Sequence, residues 1–193
     1  MKKNLAQKFD ELVASFEKLP GVGKKSALKY AYFVGVENSF AGLNLAHCIE
    51  EAVKNLRRCE ICGGICESEI CEVCADFGRN RDKICIVETP KDIFIFENNN
   101  IFDGLYFVLD DVNEQILARL EKMIDENGSD ELIFALTPSV NSDGIMLYIE
   151  DKLKHKSIKF SKIAQGIPTN VSLENVDMLS LIKAMNGRVG ILI

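Results

Sequence analysis

The 193-residue chain has no apolar run long enough to cross a bilayer, no internal repeat, no low-complexity stretch and no excess of positive charge. Its opening, MKKNLAQKFDELV, interrupts the apolar positions with Gln7, Lys8, Asp10 and Glu11, so neither a signal-peptide core nor a membrane span is expected, and the expected compartment is the cytosol. The missing repeat excludes a solenoid. A net charge of −6 excludes a protein that coats nucleic acid with its whole surface. With 47% hydrophobic and 27% charged residues the composition is that of a folded globular chain, long enough for one main domain and a small appendage.

Charge is unevenly spread. Residues 1–35 hold Lys2, Lys3, Lys8, Lys18, Lys24, Lys25 and Lys29 against Asp10, Glu11 and Glu17, whereas the remainder is strongly acidic. A basic end on an acidic body is expected where only that end touches phosphate; a solvated lysine-rich helix face would look the same by charge alone.

Seven cysteines in a reducing compartment suggest metal binding before disulfides. Cys59-x2-Cys62, eight residues, then Cys71-x2-Cys74 gives two thiolate pairs whose reach suits one tetrahedral zinc ion. Four sulfurs leave no position for water, so the site is expected to stabilise structure and not to activate a nucleophile. A redox pair is the alternative, and two matched pairs at short separation argue against it. Cys66, inside the loop, is placed outside the site; Cys48 and Cys85 are expected to be buried thiols.

Leu19-Pro20-Gly21-Val22-Gly23-Lys24-Lys25-Ser26-Ala27-Leu28-Lys29 matches a helix-hairpin-helix, in which a Pro-Gly-apolar-Gly turn joins two short helices. Gly21 and Gly23 let the backbone approach a DNA phosphate, and the amides opening the second helix point at it with the positive dipole end. Lys24, Lys25 and Lys29 flank this turn, the last two sharing a helix face. Nothing in the segment reads bases, so binding is expected to be sequence-independent and salt-sensitive. A tight interhelical turn or an oligomer contact is the structural alternative. A nucleotide-binding P-loop fails on spacing, since Lys18 and Lys25 stand where glycine and Ser or Thr are needed.

Periodicity predicts a helix from about Asn4 to Lys18 and a second from Lys24 to about Val34, with Ala27, Tyr30, Ala31 and Val34 inward. A third, N-capped by Ser39, has Leu45, Ile49, Val53 and Leu56 on one face. After the cysteines, strands Ile84–Glu88, Leu105–Leu109, Leu132–Leu136 and Ile158–Ile163 alternate with helices near Lys91–Phe96, Asn113–Asn127 and Ser142–Leu153, which implies a mainly parallel sheet. One further helix is expected at Glu174–Met185, before a terminal VGILI run. The strand ends carry Glu88, with Asp92 after it, Asp110-Asp111, and Asp143 after the third strand. Converging carboxylates call for a divalent cation or a basic partner. They also outline a Toprim domain, whose enzymes bind magnesium through Asp-x-Asp. Asp110-Asp111-Val112 lacks the second aspartate at that spacing, so a magnesium-dependent nuclease or primase-like enzyme is the lesser reading.

Taken in order, LPGVGKKSA, the four-cysteine loop followed by Ala75-Asp76 and Arg79 and Arg81, IVE at the first strand, and IAQGIP with Asp177 resemble the bacterial recombination mediator family RecR along nearly the whole chain. The resemblance implies a helical helix-hairpin-helix region at 1–56, a four-cysteine zinc finger at 57–76, a Toprim-like α/β domain at 77–165 and a C-terminal helical segment at 166–193. It implies a ring-shaped homotetramer without catalytic activity that binds DNA with RecO or RecF and helps load RecA onto gaps. Lys25 and Lys29 would face DNA, Cys59, Cys62, Cys71 and Cys74 would hold zinc, and the acids Glu88, Asp92 and Asp143 would meet a partner. Asp110-Asp111, Asn141-Ser142-Asp143 and Asn170-Val171 depart from the family's usual residues.

Overall fold

The computed structural model describes residues 6–164, 166–167 and 170–187; the terminal VGILI run lies outside them. The chain forms two compact units, 1–56 and 57–193.

The first unit is helical. α1 (Gln7–Glu17) and α2 (Lys24–Tyr32) are joined by the glycine turn, a π-helical turn (Phe33–Glu37) follows, and α3 runs from Ser39 to Asn55. Ala27 and Ala31 of α2 are fully buried, as the helical period requires. The N-cap of α3 is Asn38, whose side chain accepts the Ala41 amide at 2.9 Å, and Ser39 is the first helical residue. The stripe Leu45, Ile49, Val53 and Leu56 is exposed within the described residues, and so, against expectation, is Cys48. Tyr30 is also nearly half exposed, although its ring meets Phe16 edge-on, and Val34 is half-buried.

The second unit begins with the cysteine loop, which contains the two-residue strands β1 (Arg57–Arg58) and β2 (Ile65–Cys66), paired antiparallel, and the short helix α4 (Glu72–Ala75). There follow β3 (Asn80–Val87), α5 (Pro90–Asn98), β4 (Gly104–Val108), α6 (Glu114–Asn127), β5 (Glu131–Ala135), α7 (Val140–Leu153) and β6 (Lys159–Lys162). β3 through β6 form one sheet in the order β4-β3-β5-β6, parallel throughout. A 3-10 turn (Leu173–Asn175) and α8 (Met178–Asn186), capped by Asp177, replace the single C-terminal helix expected from Glu174.

Alternation along the strands divides the core into two layers. Ile84, Ile86, Leu105, Phe107, Leu132 and Phe134 pack against Leu117, Leu120, Met123 and Ile124 of α6 and Ile149 and Leu153 of α7. Cys85, Val87, Tyr106 and Val108 point the other way, toward Ile93 and Phe96 of α5 and Val73 of the cysteine loop. Both faces of β3 and β4 are therefore covered, which explains their unbroken apolar runs.

At the amino-terminal end of the sheet a polar network fastens α5. Arg79 donates to both Glu97 carboxylate oxygens at 2.9 and 2.8 Å and to the carbonyls of Gly104 and Phe102, and the Tyr106 hydroxyl donates to Glu97 at 2.6 Å. Burial opposes ionisation of Glu97, but the Arg79 and Tyr106 hydrogen bonds win and hold its carboxyl below the usual range. A depressed carboxylate pKa contributes stability above the unfolded value, and that contribution is lost as pH falls through the folded value. Glu97→Gln should therefore cost about 2 kcal/mol at neutral pH in urea denaturation. The gap to the parent protein should close on acidification; a gap independent of pH would contradict this account.

Candidate zinc centre and nucleic-acid interface

The cysteine loop brings together the four residues that the spacing singles out. The sulfurs of Cys59, Cys62, Cys71 and Cys74 all lie within 4.8 Å of one another, and all four residues are buried. Backbone amides converge on them: Gly64 donates to Cys62 Sγ at 3.3 Å, Cys71 to Cys59 Sγ at 3.3 Å and Cys74 to Cys71 Sγ at 3.4 Å. Amide hydrogens aimed at sulfur suit thiolates better than thiols. Without an ion the four sulfurs must divide their protons unequally. Hydrogen bonds from Cys62, Cys71 and Cys74 pull the Cys59 thiol far down, while those to its neighbours and burial push Cys62 and Cys74 up. The bond to Cys59 raises Cys71, yet those from Cys62 and Cys74 bring it to about 7. A dication removes this conflict by stabilising all four thiolates at once. The donor set therefore fits one structural zinc ion, closed to water. Cys66 stays outside, its thiol donating to the Ser68 carbonyl at 2.8 Å.

Sequence reasoning missed how this loop is fastened to the sheet. The Cys62 carbonyl accepts the Val108 amide at 2.8 Å, so the first knuckle runs along the outer edge of β4. Gly63 has φ +78°, and a Cβ there would stand 3.1 Å from the Arg119 guanidinium and 3.3 Å from Val108 Cβ. Both the left-handed backbone and this close approach require glycine. Arg119 lies 4.9 Å from the Phe107 ring centroid. Arg58 donates to the Gly63 carbonyl at 2.7 Å and leans toward Asp110 at 3.4 Å. Arg81 donates to the carbonyls of Cys74 and Asp76 at 3.2 Å each and reaches Asn127 of α6. Arg58, Arg81 and Arg119 thus frame the loop; Arg58 and Arg81 flank the cysteines in sequence, whereas Arg119 comes from α6.

The hairpin has the expected local geometry. Gly21 sits at φ +78° and the Val22 amide closes the turn on the Leu19 carbonyl at 3.1 Å. Gly23 caps α2 without a side-chain hydrogen bond, and the first bond into the helix is from Ala27 to the Gly23 carbonyl at 2.9 Å. The amides of residues 24–26 therefore lack intrahelical acceptors. A Cβ on Gly21 or Gly23 would meet nothing within 4 Å, so the space over the turn is open. Lys24, Lys25 and Lys29 are exposed, and among the described residues no carboxylate pairs with them.

The strand-end acids are engaged by protein donors. Glu88 accepts the Thr137 amide and hydroxyl, each at 2.8 Å. Asp92 accepts the amide and hydroxyl of Thr89 at 2.7 and 3.0 Å and so caps α5. Asp143, in the first turn of α7, faces Lys162 at 3.6 Å on the rim of a cavity of about 450 Å³ floored by Phe134, Met146 and Phe160. Among the described residues, the four cysteines are the group drawn close enough to hold a metal; the convergence of carboxylates expected at the strand ends is not found.

The loop's attachment to β4 makes metal removal visible at a distance. The purified protein should contain about one zinc per chain, and Cys71→Ser should lose it. Chelation should then speed hydrogen exchange at the Val108 amide while central β3 amides stay protected. Unchanged exchange at Val108 after verified zinc loss would separate the loop from the sheet.

Comparison with known proteins agrees with these parts and their order. Residues 9–53 match the family described as RecR, helix-hairpin-helix; residues 56–76 match the RecR zinc finger domain with four cysteine ligands; residues 82–164 match the Toprim domain. The chain is 52% identical over 182 residues to the recombination protein RecR of Campylobacter jejuni subsp. jejuni (strain 81-176), an alignment covering 94% of this chain and 96% of that one. It is 50% identical to the recombination protein RecR of a Nitratiruptor species, over 98% of this chain and all of that one. Against the recombination protein RecR of Helicobacter pylori (strain Shi470) the identity is 46%, over 97% of each chain. The glycine hairpin, the four-sulfur loop and the parallel sheet behind it are thus those of the RecR family of recombination proteins, to which this chain belongs.

Proposed function

We propose that this protein is a non-catalytic, DNA-binding recombination mediator of the cytoplasm that acts with RecO, RecF or both to load RecA onto gapped single-stranded DNA. The observation that carries the reading is the open glycine turn, where three exposed lysines without carboxylate partners flank amides that lack acceptors. Gly21 and Gly23 let a phosphate approach, and Lys24, Lys25 and Lys29 neutralise it. Cys59, Cys62, Cys71 and Cys74 serve as the zinc ligands. The four-part division at residues 56, 76 and 165 assigns DNA contact, metal stabilisation and partner contact to separate segments.

Glu88, Asp92 and Asp143 are the partner-facing acids. Asp143 supports this best, since it borders an open cavity with exposed Leu147 and Glu150 beside it, a surface suited to a basic and apolar protein segment. Glu88 and Asp92 are taken up by threonine donors, which disfavours magnesium-dependent cleavage. Assembly into a homotetrameric ring is supported by the unpartnered apolar residues of α3, Phe40, Leu43, Ile49 and Val53.

The hairpin reading is tested by salt-dependent DNA binding. Replacing Lys25 and Lys29 together with Ala should weaken binding about tenfold or more and lower the slope of log affinity against log salt by about 2, one unit for each lost phosphate contact. Undiminished DNA retention would leave a protein-only adaptor in its place.

A further inference from the structure

α2 presents more than lysine to solvent. Lys25, Lys29 and Tyr32 stand at i, i+4 and i+7 and so share one face, on the side of the helix away from buried Ala27 and Ala31. Tyr32 is 54% exposed, and Phe33, which follows it and opens the π-helical turn, is 43% exposed. The contrast with Tyr30 is informative. Tyr30 has a structural use, meeting Phe16 edge-on with ring centroids 5.9 Å apart. The Tyr32 side chain has neither a ring partner nor a hydrogen bond among the described residues.

An exposed aromatic ring beside two unpaired ammonium groups fits a ligand that offers a negative backbone and an accessible π-face together. A duplex offers lysines its phosphates but keeps its base faces stacked inside. An unpaired strand offers both, because its bases can splay out and stack on a side chain. We infer that the Lys25–Lys29–Tyr32 face is a single-strand-binding strip, in which the lysines hold successive phosphates and an unpaired base stacks on Tyr32. This rests on the hairpin's being the DNA contact and adds to it the kind of DNA that is preferred. Tyr32 and Lys25 are about 10 Å apart along the helix axis, so one strand can meet both along a single face.

The test compares oligothymidine of ~20 nucleotides with a duplex of equal length by fluorescence anisotropy on the full-length protein. Tyr32→Ala should weaken oligothymidine binding about tenfold, as loss of one stacked base demands, and leave duplex binding unchanged, whereas Tyr32→Phe should keep both. Because the chain contains no tryptophan, Tyr32→Trp gives a reporter free of background. Its emission should be quenched by oligothymidine and not by duplex. Equal loss on both DNAs, no loss on either, or an unquenched reporter would overturn the inference. So would a change in oligomeric mass of Tyr32→Ala in light scattering, which would assign this face to contact between copies. If Lys25→Ala with Lys29→Ala spares both DNAs, the hairpin reading itself fails, an outcome distinct from failure at Tyr32.

Discussion

One backbone hydrogen bond, from the Val108 amide to the Cys62 carbonyl, joins the metal site to the outer edge of the sheet, and the placing of the cysteine loop depends on it. An edge strand needs a partner for its outward amides, and a loop of sixteen residues with few large apolar side chains needs an external frame. Each supplies what the other lacks. The first knuckle takes up the outward Val108 amide of β4, and β4 gives the knuckle a fixed anchor. Gly63 makes the approach possible because no side chain separates its backbone from Arg119 and Val108. The arginines at 58, 81 and 119 then set positive charge around a centre that carries net negative charge once four thiolates bind one dication.

The sheet behind this junction is a platform built by period-two alternation. Its two apolar layers carry α6 and α7 on one face and α5 on the other, and its carboxyl ends carry short loops closed by helix caps. Those caps decide the fate of the acids. Asp92 completes a capping box with Thr89, and Ser139 with Ser142 forms another at the start of α7, directly before Asp143. A carboxylate that satisfies a helix end is held in a fixed direction and has fewer lone pairs left for a metal ion.

Much of this was legible in the sequence because it rests on local chemistry. The C-x2-C pairs give their own geometry, the Pro-Gly-Val-Gly turn gives its own bend, and unbroken apolar strands announce a sheet covered on both faces. What was not legible depends on the whole chain. The stripe of Leu45, Ile49, Val53 and Leu56 has the period of a core face, yet these residues lie in water within the described residues, since periodicity records that a face is apolar and not what covers it. Cys48 departs from expectation for the same reason. The N-cap moves from Ser39 to Asn38 because both residue types cap equally well and only backbone geometry chooses between neighbours. The contacts of Arg81 and Arg119 span 46 residues in one case and a strand-helix boundary in the other, and no pattern in a single sequence encodes such distances.

The uneven charge acquires a physical meaning once the lysines are located. Lys24, Lys25 and Lys29 are exposed on one short helix of a chain of net charge −6, so the proposed DNA contact would be local and the acidic excess elsewhere would oppose a wider one. Affinity through that contact would be modest and sensitive to salt, because it would rest on a small number of phosphate contacts and the counterions they release. If several hairpins engage together in the proposed ring, their linked weak contacts would multiply. Rigidity then matters more than strength, since linked contacts reinforce one another only when their spacing is fixed. A zinc loop clamped to the edge of a parallel sheet makes the second unit rigid in itself, at the cost of a metal requirement.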